Sequence, residues 1–85
     1  MNLPVLKNCS GVVISSVKGA EDGNGIIVRL AEYHGQTERF TLALPDGINT
    51  CFETDMKETP IKEYNGREIQ MEISPFEIKT IKLNR

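Results

Sequence analysis

Turn-forming residues recur along this chain about every eight to twelve residues, and this spacing limits the fold more than any other feature. The clearest groups are Asp22-Gly23-Asn24-Gly25, His34-Gly35-Gln36, Pro45-Asp46-Gly47 and Asn65-Gly66. Glycine and asparagine tolerate a positive φ and proline presets a turn, so each group can reverse the chain. Short segments between frequent turns are typical of an all-β sandwich and argue against repeated βαβ units.

Several segments between these turns alternate apolar and polar residues, as strands with one buried face do. We predict an all-β fold, an antiparallel β-sandwich of six or seven strands, with the main strands near residues 12–18, 26–33, 39–44, 49–54, 67–73 and 76–83. Residues 1–11 are interpreted as a leading linker to this single domain. Pro60 interrupts the best helical candidate, residues 54–63, so no helix is expected. The expected core is Ile26, Val28, Leu30, Phe40, Leu42, Leu44, Ile69, Met71 and Ile73.

The charge and hydropathy of the chain argue against two kinds of partner. Its 10 Lys and Arg against 12 Asp and Glu give a net charge of -2, so no basic field attracts nucleic acid. No apolar run approaches the ~20 residues of a transmembrane helix, so no membrane partner is expected. Residues 1–7 lack the basic and apolar regions of a signal peptide, and a cytoplasmic location is therefore expected.

No pattern of residues indicates a catalytic, cofactor-binding or metal-binding site. Glu53 and Asp55 are expected on one strand face with Cα atoms roughly 6.6 Å apart. Paired carboxylates at such separations act in glycosidases, but a charged strand edge that resists pairing explains them more simply. His34 has no further metal ligands at suitable spacing. Cys9 and Cys51 are interpreted as reduced thiols.

Three predicted strands also carry apolar residues on the face opposite the core, where an isolated two-layer sandwich should be polar. In the last strand a bulge near Thr80 is the alternative, since it would bring Ile81 and Leu83 into phase with Phe76 and Ile78, of which Ile78 is expected to be buried. Otherwise this face is expected to dock on other domains or to support self-association. The candidate docking residues are Val13, Val17, Ile27, Tyr33, Ile81 and Leu83.

Three segments, taken in order, resemble one known domain family. The first runs from Lys18 through Ala20-Glu21-Asp22-Gly23 and Gly25 to a strand with Arg29-Leu30 that ends at Glu32. The others are Glu53-Thr54-Asp55 and Pro75-Phe76-Glu77-Ile78-Lys79-Thr80. Over about residues 12–83 the chain resembles the C-terminal β domain of glycoside hydrolase family 38, the α-mannosidases. The resemblance implies a non-catalytic domain of an enzyme that hydrolyses terminal α-mannosides, whose zinc ion and aspartate nucleophile lie in a catalytic domain upstream.

The matching segments contain four polar residues that are candidates for interdomain or structural contacts, namely Glu21, Arg29, Glu32 and Glu77. Arg29 is expected opposite the core, where its planar guanidinium could bind a carboxylate in two places. Pairing with Glu21 or Glu77 would join strands or domains, whereas an exposed charge contributes little. The resemblance implies the remaining domains of the enzyme as partners. The alternative is an independent β module that binds carbohydrate or protein, although a chain without Trp has few aromatic platforms for sugars.

Overall fold

The computed structural model of the chain describes residues 3–55, 57 and 59–84. These residues form two antiparallel sheets, so the predicted all-β sandwich is confirmed, with eight strands in place of six or seven. The described residues contain no helix that is long and apolar enough to cross a membrane. The strands are β1 (Val5–Lys7), β2 (Val12–Gly19), β3 (Ile26–Glu32), β4 (Glu38–Ala43), β5 (Thr50–Thr54), β6 (Pro60–Tyr64), β7 (Glu68–Ile73) and β8 (Ile78–Asn84).

The two sheets contain strands that are far apart in the chain. The smaller sheet has the order β1-β4-β7 and the larger the order β2-β3-β8-β5-β6. Only the pairs β2–β3 and β5–β6 join strands that follow each other directly in sequence. After β1, β3, β4, β6 and β7 the chain crosses to the other sheet, so the strands of the two layers are interleaved along the sequence.

All nine residues that the sequence predicts for the core are at most 9% exposed. On the smaller sheet Phe40 lies opposite Met71 and Leu42 lies opposite Ile69. The alternating residues of β3 cover them from the larger sheet and belong to the same buried cluster. Alternation located this core because each of these strands has one face against the other sheet.

The last strand faces the opposite way from the prediction. Ile81 and Leu83 are 0% exposed and pack in the core, whereas Ile78 is 62% exposed. The pairings of β8 with β3 and β5 contain no register shift, so the alternative of a bulge near Thr80 is also wrong. Because β8 lies between two strands, its core face must match theirs, and Ile81 aligns with Val28. This alignment leaves Ile78 on the outer face.

The first long strand contains a bulge that the sequence pattern did not reveal. The register of β2 against β3 shifts between Ile14 and Ser16. A bulge changes which residues share a face, so Val13 and Val17 point to different sides although both were predicted opposite the core. Val13 lies on the outer face, aligned with Ala31. Val17 aligns with Val28 on the core side but stays 36% exposed, since β2 is an edge strand.

Two short edge strands complete the sheets. Val5–Lys7 pairs with β4, within the segment that was interpreted as a leading linker. Pro60–Tyr64 pairs with β5, and its proline stands at the first position of an edge strand, where no ladder donor is needed. Residues 1 and 2 of the predicted linker, and residues 56 and 58 of the interrupted helical candidate, lie outside the described residues.

Candidate functional site

An open groove of about 390 Å³ lies at one side of the sandwich and is lined by residues of both sheets. It is mainly polar, although β-sandwich interiors are apolar, and the residues that line it come from β4 to β8. The smaller sheet contributes Arg39, Gln70, Met71 and Glu72, and the larger sheet contributes Glu53, Lys62, Tyr64 and Lys79. Sequence reasoning did not bring these residues together.

Glu53 is the centre of the groove's hydrogen bonding. Its Oε1 atom accepts a hydrogen bond from the Tyr64 hydroxyl at 3.0 Å and another from the Lys79 ammonium at 3.3 Å. The Lys79 side chain is only 9% exposed and also lies 4.0 Å from a Glu77 carboxylate oxygen. The Lys62 ammonium lies 4.9 Å from the centroid of the Tyr64 ring. A buried lysine must be paired in this way, because an unpaired buried charge is strongly destabilising.

Two weakly acidic groups near Glu53, the Tyr64 phenol and the Cys51 thiol, keep their protons well above neutral pH. Burial, followed by the hydrogen bond to Glu53, raises the pKa of Tyr64 to about 12. Burial, followed by the charge of Glu53, raises the pKa of the Cys51 thiol to about 12. Both groups are therefore protonated near pH 7, and a thiol of this kind is a poor nucleophile. Neither group is therefore activated as a nucleophile near pH 7.

We expect the Tyr64 phenol to titrate near pH 12 in the folded chain, above its ordinary value of 10.0. Because the folded state keeps the proton longer, stability is retained below pH 10 and is lost as the pH rises toward 12. Tyrosinate absorbance is followed against pH in the wild type and in Tyr64→Phe, and the difference between the two curves is the titration of Tyr64. Glu53→Gln should lower the pKa of Tyr64 but leave it raised, since burial is the larger cause. Titration of Tyr64 at its ordinary value in the folded chain would contradict this assignment.

Glu53 and Asp55, the carboxylates considered for general acid and base chemistry, have separate structural contacts. The register of β5 against β6 shifts between Glu53 and Thr54. Glu53 faces the groove, whereas Asp55 is exposed beyond the end of β5. One Asp55 oxygen accepts hydrogen bonds from the backbone N–H groups of Lys57 at 2.8 Å and Thr59 at 2.9 Å. Asp55 thus stabilises the turn before β6, as aspartate commonly does in turns.

Glu32 is a buried carboxylate at the end of β3, with an exposed fraction of 3%. It accepts hydrogen bonds from the backbone N–H groups of His34, Gly35 and Phe76, each at 2.8 Å. Its own N–H donates to the carbonyl of Glu77 at 3.1 Å. One side chain therefore holds together two turns, those at residues 33–37 and 74–77, that are distant in sequence.

Glu32 should make the stability of the domain sensitive to acid. Burial raises its pKa, but hydrogen bonds from the backbone of Phe76, Gln36, Gly35 and His34 together lower it below the ordinary value of 4.5. The stabilisation is therefore present above pH 4.5 and is lost as the pH falls through the lower pKa of the folded state. We expect Glu32→Gln to lower the melting temperature at pH 7 by on the order of 10 °C.

Calorimetry of Glu32→Gln between pH 3 and pH 7, with the exposed Glu63→Gln as the matched control, measures this effect. The melting temperature of Glu32→Gln should also change less with pH than that of the control. Equal melting temperatures of the two variants at pH 7 would show that Glu32 does not hold the turns.

The other predicted polar contacts do not form one site. Glu77 accepts a hydrogen bond from the backbone N–H of Ser74 at 2.8 Å and lies on the groove side with Lys79. Arg29 lies on the outer face of the larger sheet, and the ion pairs of the described residues do not join it to Glu77. Glu21 is exposed in the turn after β2, beside Asp22, whose carboxylate pairs with the ammonium of Lys82.

Three of the six predicted docking residues are exposed: Val13 at 42%, Val17 at 36% and Tyr33 at 51%. The other three are buried within the chain, Ile81 and Leu83 in the core and Ile27 on the outer face. Ile27 is 1% exposed there because it aligns with Lys18 on one neighbouring strand and Lys82 on the other, whose long stems can cover it. The docking role stays a prediction for Val13, Val17 and Tyr33, because the other three residues have no exposed surface to offer.

The histidine and the two cysteines occupy separate places. His34 lies in the turn after β3 and contacts the Tyr33 ring edge-on, with ring centroids 4.5 Å apart. Cys9 is a half-buried free thiol and Cys51 a buried one. Within residues 3–55, 57 and 59–84, no three His, Cys, Asp or Glu side chains are grouped as a metal site.

Lys79 is the one signal in the sequence that could have located the groove. It stands at an inward position of β8, in phase with Ile81 and Leu83, where a charged residue needs a partner. Finding Glu53 and Tyr64 as those partners requires the order of β5, β6 and β8 in the sheet, which no local pattern provides.

Comparison with known proteins agrees with this architecture. The sequence model of a family described as the glycosyl hydrolases family 38 C-terminal beta sandwich domain matches residues 11–81. No curated protein and no solved structure matches the chain. The matched residues extend from the start of β2 into β8 and so include most of both sheets. The chain therefore belongs to the C-terminal β-sandwich domains of glycoside hydrolase family 38.

Proposed function

We propose that this chain is the non-catalytic C-terminal domain of an α-mannosidase and supports the structure of an enzyme that hydrolyses terminal α-mannosides. The family match over residues 11–81 carries this proposal. The hydrogen bonds of two carboxylates support a structural role, since Glu32 accepts from three backbone N–H groups and Glu53 accepts from the Tyr64 hydroxyl and the Lys79 ammonium. Both carboxylates thus join elements of the fold that are distant in sequence.

On this proposal the chemistry belongs to another domain of the enzyme. The zinc ion and the aspartate nucleophile expected for an α-mannosidase would be held there. Within the described residues, the ionisable groups instead join strands: Lys79 connects β8 to Glu53 of β5, and Tyr64 connects β6 to the same carboxylate. A domain built in this way supplies a rigid layer against which the other domains can pack.

The purified chain should not hydrolyse an aryl α-mannoside, with or without added zinc. An enzyme that contains this domain should hydrolyse the α-mannoside and should leave the matched aryl α-glucoside intact. Turnover by the chain alone that disappears in Glu53→Gln or Asp55→Asn would contradict the non-catalytic role. Hydrolysis of the glucoside by the complete enzyme, without hydrolysis of the mannoside, would contradict the proposed substrate.

The groove favours one other candidate function, binding of a carbohydrate by the domain itself. Its charged and amide side chains can form hydrogen bonds with hydroxyl groups, and Tyr64 provides an aromatic ring. Lys62 lies over that ring, however, so a sugar would have to displace it to stack there. Titration of the chain with methyl α-mannoside, followed by the NMR chemical shifts of backbone amides, tests this function. Saturable shift changes confined to the groove would support a binding module. Unchanged shifts would rule out binding of this sugar and would agree with a structural role.

A further inference from the structure

We propose that the outer face of the five-stranded sheet docks on another domain of the same enzyme, and that a carboxylate of that domain pairs with Arg29. This inference deepens the proposed structural role and depends on its multidomain enzyme, but it does not depend on the sugar that the enzyme cleaves. Two adjacent rows of side chains on this face carry it, one apolar and one polar.

The apolar row crosses three neighbouring strands. Val13 of β2 aligns with Ala31 of β3, and Ala31 aligns with Ile78 of β8. Val13 is 42% exposed and Ile78 is 62% exposed, although both are large aliphatic residues in strands. Polar residues normally occupy the solvent face of an antiparallel sheet. A contiguous apolar row on that face indicates a surface that is covered in the complete protein.

The polar row lies next to the apolar row, at the following outward-facing positions of the same strands. Arg29 aligns with Ser16 on one side and with Thr80 on the other, and Thr80 aligns with Thr54. The Nε atom of Arg29 and the Oγ1 atom of Thr54 are buried without a hydrogen-bond partner among the described residues. Buried polar atoms are nearly always paired in folded proteins.

Charge complementarity identifies the chemistry of the partner. Lys79 and Lys82 of the neighbouring strand have carboxylate partners within the chain. Arg29 is only partly exposed, and the ion pairs of the described residues do not include it. A guanidinium on a partly apolar face is well suited to a carboxylate that arrives with apolar neighbours, because the pair then forms away from water. The expected partner surface is therefore an Asp or Glu flanked by aliphatic side chains.

At the end of this face, Phe76 combines a strained backbone with an exposed ring. Phe76 has a φ of 58° and is 71% exposed, so a bulky residue adopts a left-handed conformation without burying its ring. Glu32 holds the Phe76 N–H, and the ring lies over Gly35, where an added Cβ would come within 2.8 Å of it. Strained residues persist where the surrounding structure enforces them, often at binding sites. Phe76 is thus presented as a fixed aromatic anchor beside Ile78.

Hydroxyl-radical footprinting of the chain alone and of the complete enzyme tests the inference, because aromatic and aliphatic side chains report their own exposure. Phe76, Tyr33 and Ile78 should be modified in the chain alone and at least about fivefold less in the enzyme, as expected at the dry centre of an interface. Val5, which is 55% exposed on edge strand β1 of the smaller sheet, serves as the internal reference. Its modification should be equal in both samples.

Two pairs of variants in the complete enzyme locate the contact. Arg29→Met and Ile78→Asp should raise the modification of Phe76 toward its level in the chain alone. Their controls, Arg39→Met and Val5→Asp, change an arginine paired with Glu72 and an exposed aliphatic residue, both on the smaller sheet, and should leave Phe76 protected. If Phe76 stays protected in Arg29→Met but loses its protection in Ile78→Asp, the proposed carboxylate partner of Arg29 is wrong.

Equal modification of Phe76 and Ile78 in both samples would overturn the docking face. Protection in the chain alone that increases with its concentration would also overturn it, because a second copy would then be the occupant. Activity assays of the same enzyme separate this inference from the proposed function. A protected face in an enzyme that does not cleave α-mannosides refutes only the proposed activity, and an exposed face in an active α-mannosidase refutes only the docking.

Discussion

Replacing Gly25 with alanine is expected to destabilise the domain by about 2 to 5 kcal/mol. Gly25 has a φ of 87°, and its backbone carbonyl accepts a hydrogen bond from the Ala20 N–H at 3.1 Å. A Cβ atom at this position would overlap the carbonyl oxygen of Leu83 and the side-chain amide of Asn84. Leu83 belongs to β8 in the middle of the larger sheet, so its backbone cannot move away without breaking pairs on both sides.

Gly23 provides a matched control two residues earlier in the same turn. Its φ of 79° is similar, but a Cβ atom added there would meet no heavy atom within 4 Å. Gly23→Ala should therefore lose only about 1 to 2 kcal/mol for the left-handed backbone. Urea unfolding gives the loss in free energy of unfolding for each variant. The larger loss of Gly25→Ala over Gly23→Ala measures the cost of the overlap with β8. If the two variants lose the same stability, the turn does not pack against Leu83 in the way described.

Replacing Ile81 with alanine is expected to lower the free energy of unfolding by about 3 to 4 kcal/mol. Ile81 is 0% exposed, aligns with Val28 and Glu53, and belongs to the core between the sheets. Truncation would leave a cavity in a region that cannot collapse easily, since strands flank β8 on both sides. A domain of this size has a total stability of roughly 4 to 13 kcal/mol, so a large share would be lost.

Ile78→Ala is the control for Ile81→Ala, because it makes the same change on the opposite face of the same strand. Ile78 is 62% exposed, and its truncation should lose less than about 1 kcal/mol in the chain alone. Thermal and urea unfolding of the pair report the orientation of β8 directly. A larger loss for Ile78→Ala than for Ile81→Ala would mean that the strand presents its other face to the core.

The local sequence pattern was sufficient to predict the buried face of a strand wherever that strand had apolar residues on one face only. The alternation of β4 and β7 placed Phe40, Leu42, Ile69 and Met71 in the core, and all four are buried. Their polar neighbours left only one orientation that excludes water from the apolar side chains. The turn residues were equally informative, since Gly23, Gly35, Gly47 and Gly66 all have a positive φ.

The same reasoning failed where both faces of a strand carry apolar residues. In β8, Ile78 and Ile81 are chemically equivalent, and no local property decides which of them is buried. The bulge in β2 was hidden for a related reason, because Val12, Val13, Ile14 and Val17 offer apolar residues in either phase. The neighbours of these strands made the choice, and those neighbours are distant in sequence.

The amino-acid sequence by itself determined the all-β class, the positions of the principal turns, the nine core residues and the family of the domain. These features depend on side-chain periodicity, on residues that tolerate a positive φ and on the order of a few short segments. Only the tertiary structure decided the orientation of β8, the pairing of Lys79 with Glu53 and Tyr64, and the row that places Arg29 beside Val13 and Ile78. Each of these depends on the order and register of strands that are brought together only when the two sheets form, and such non-local pairing leaves no local signal in the chain.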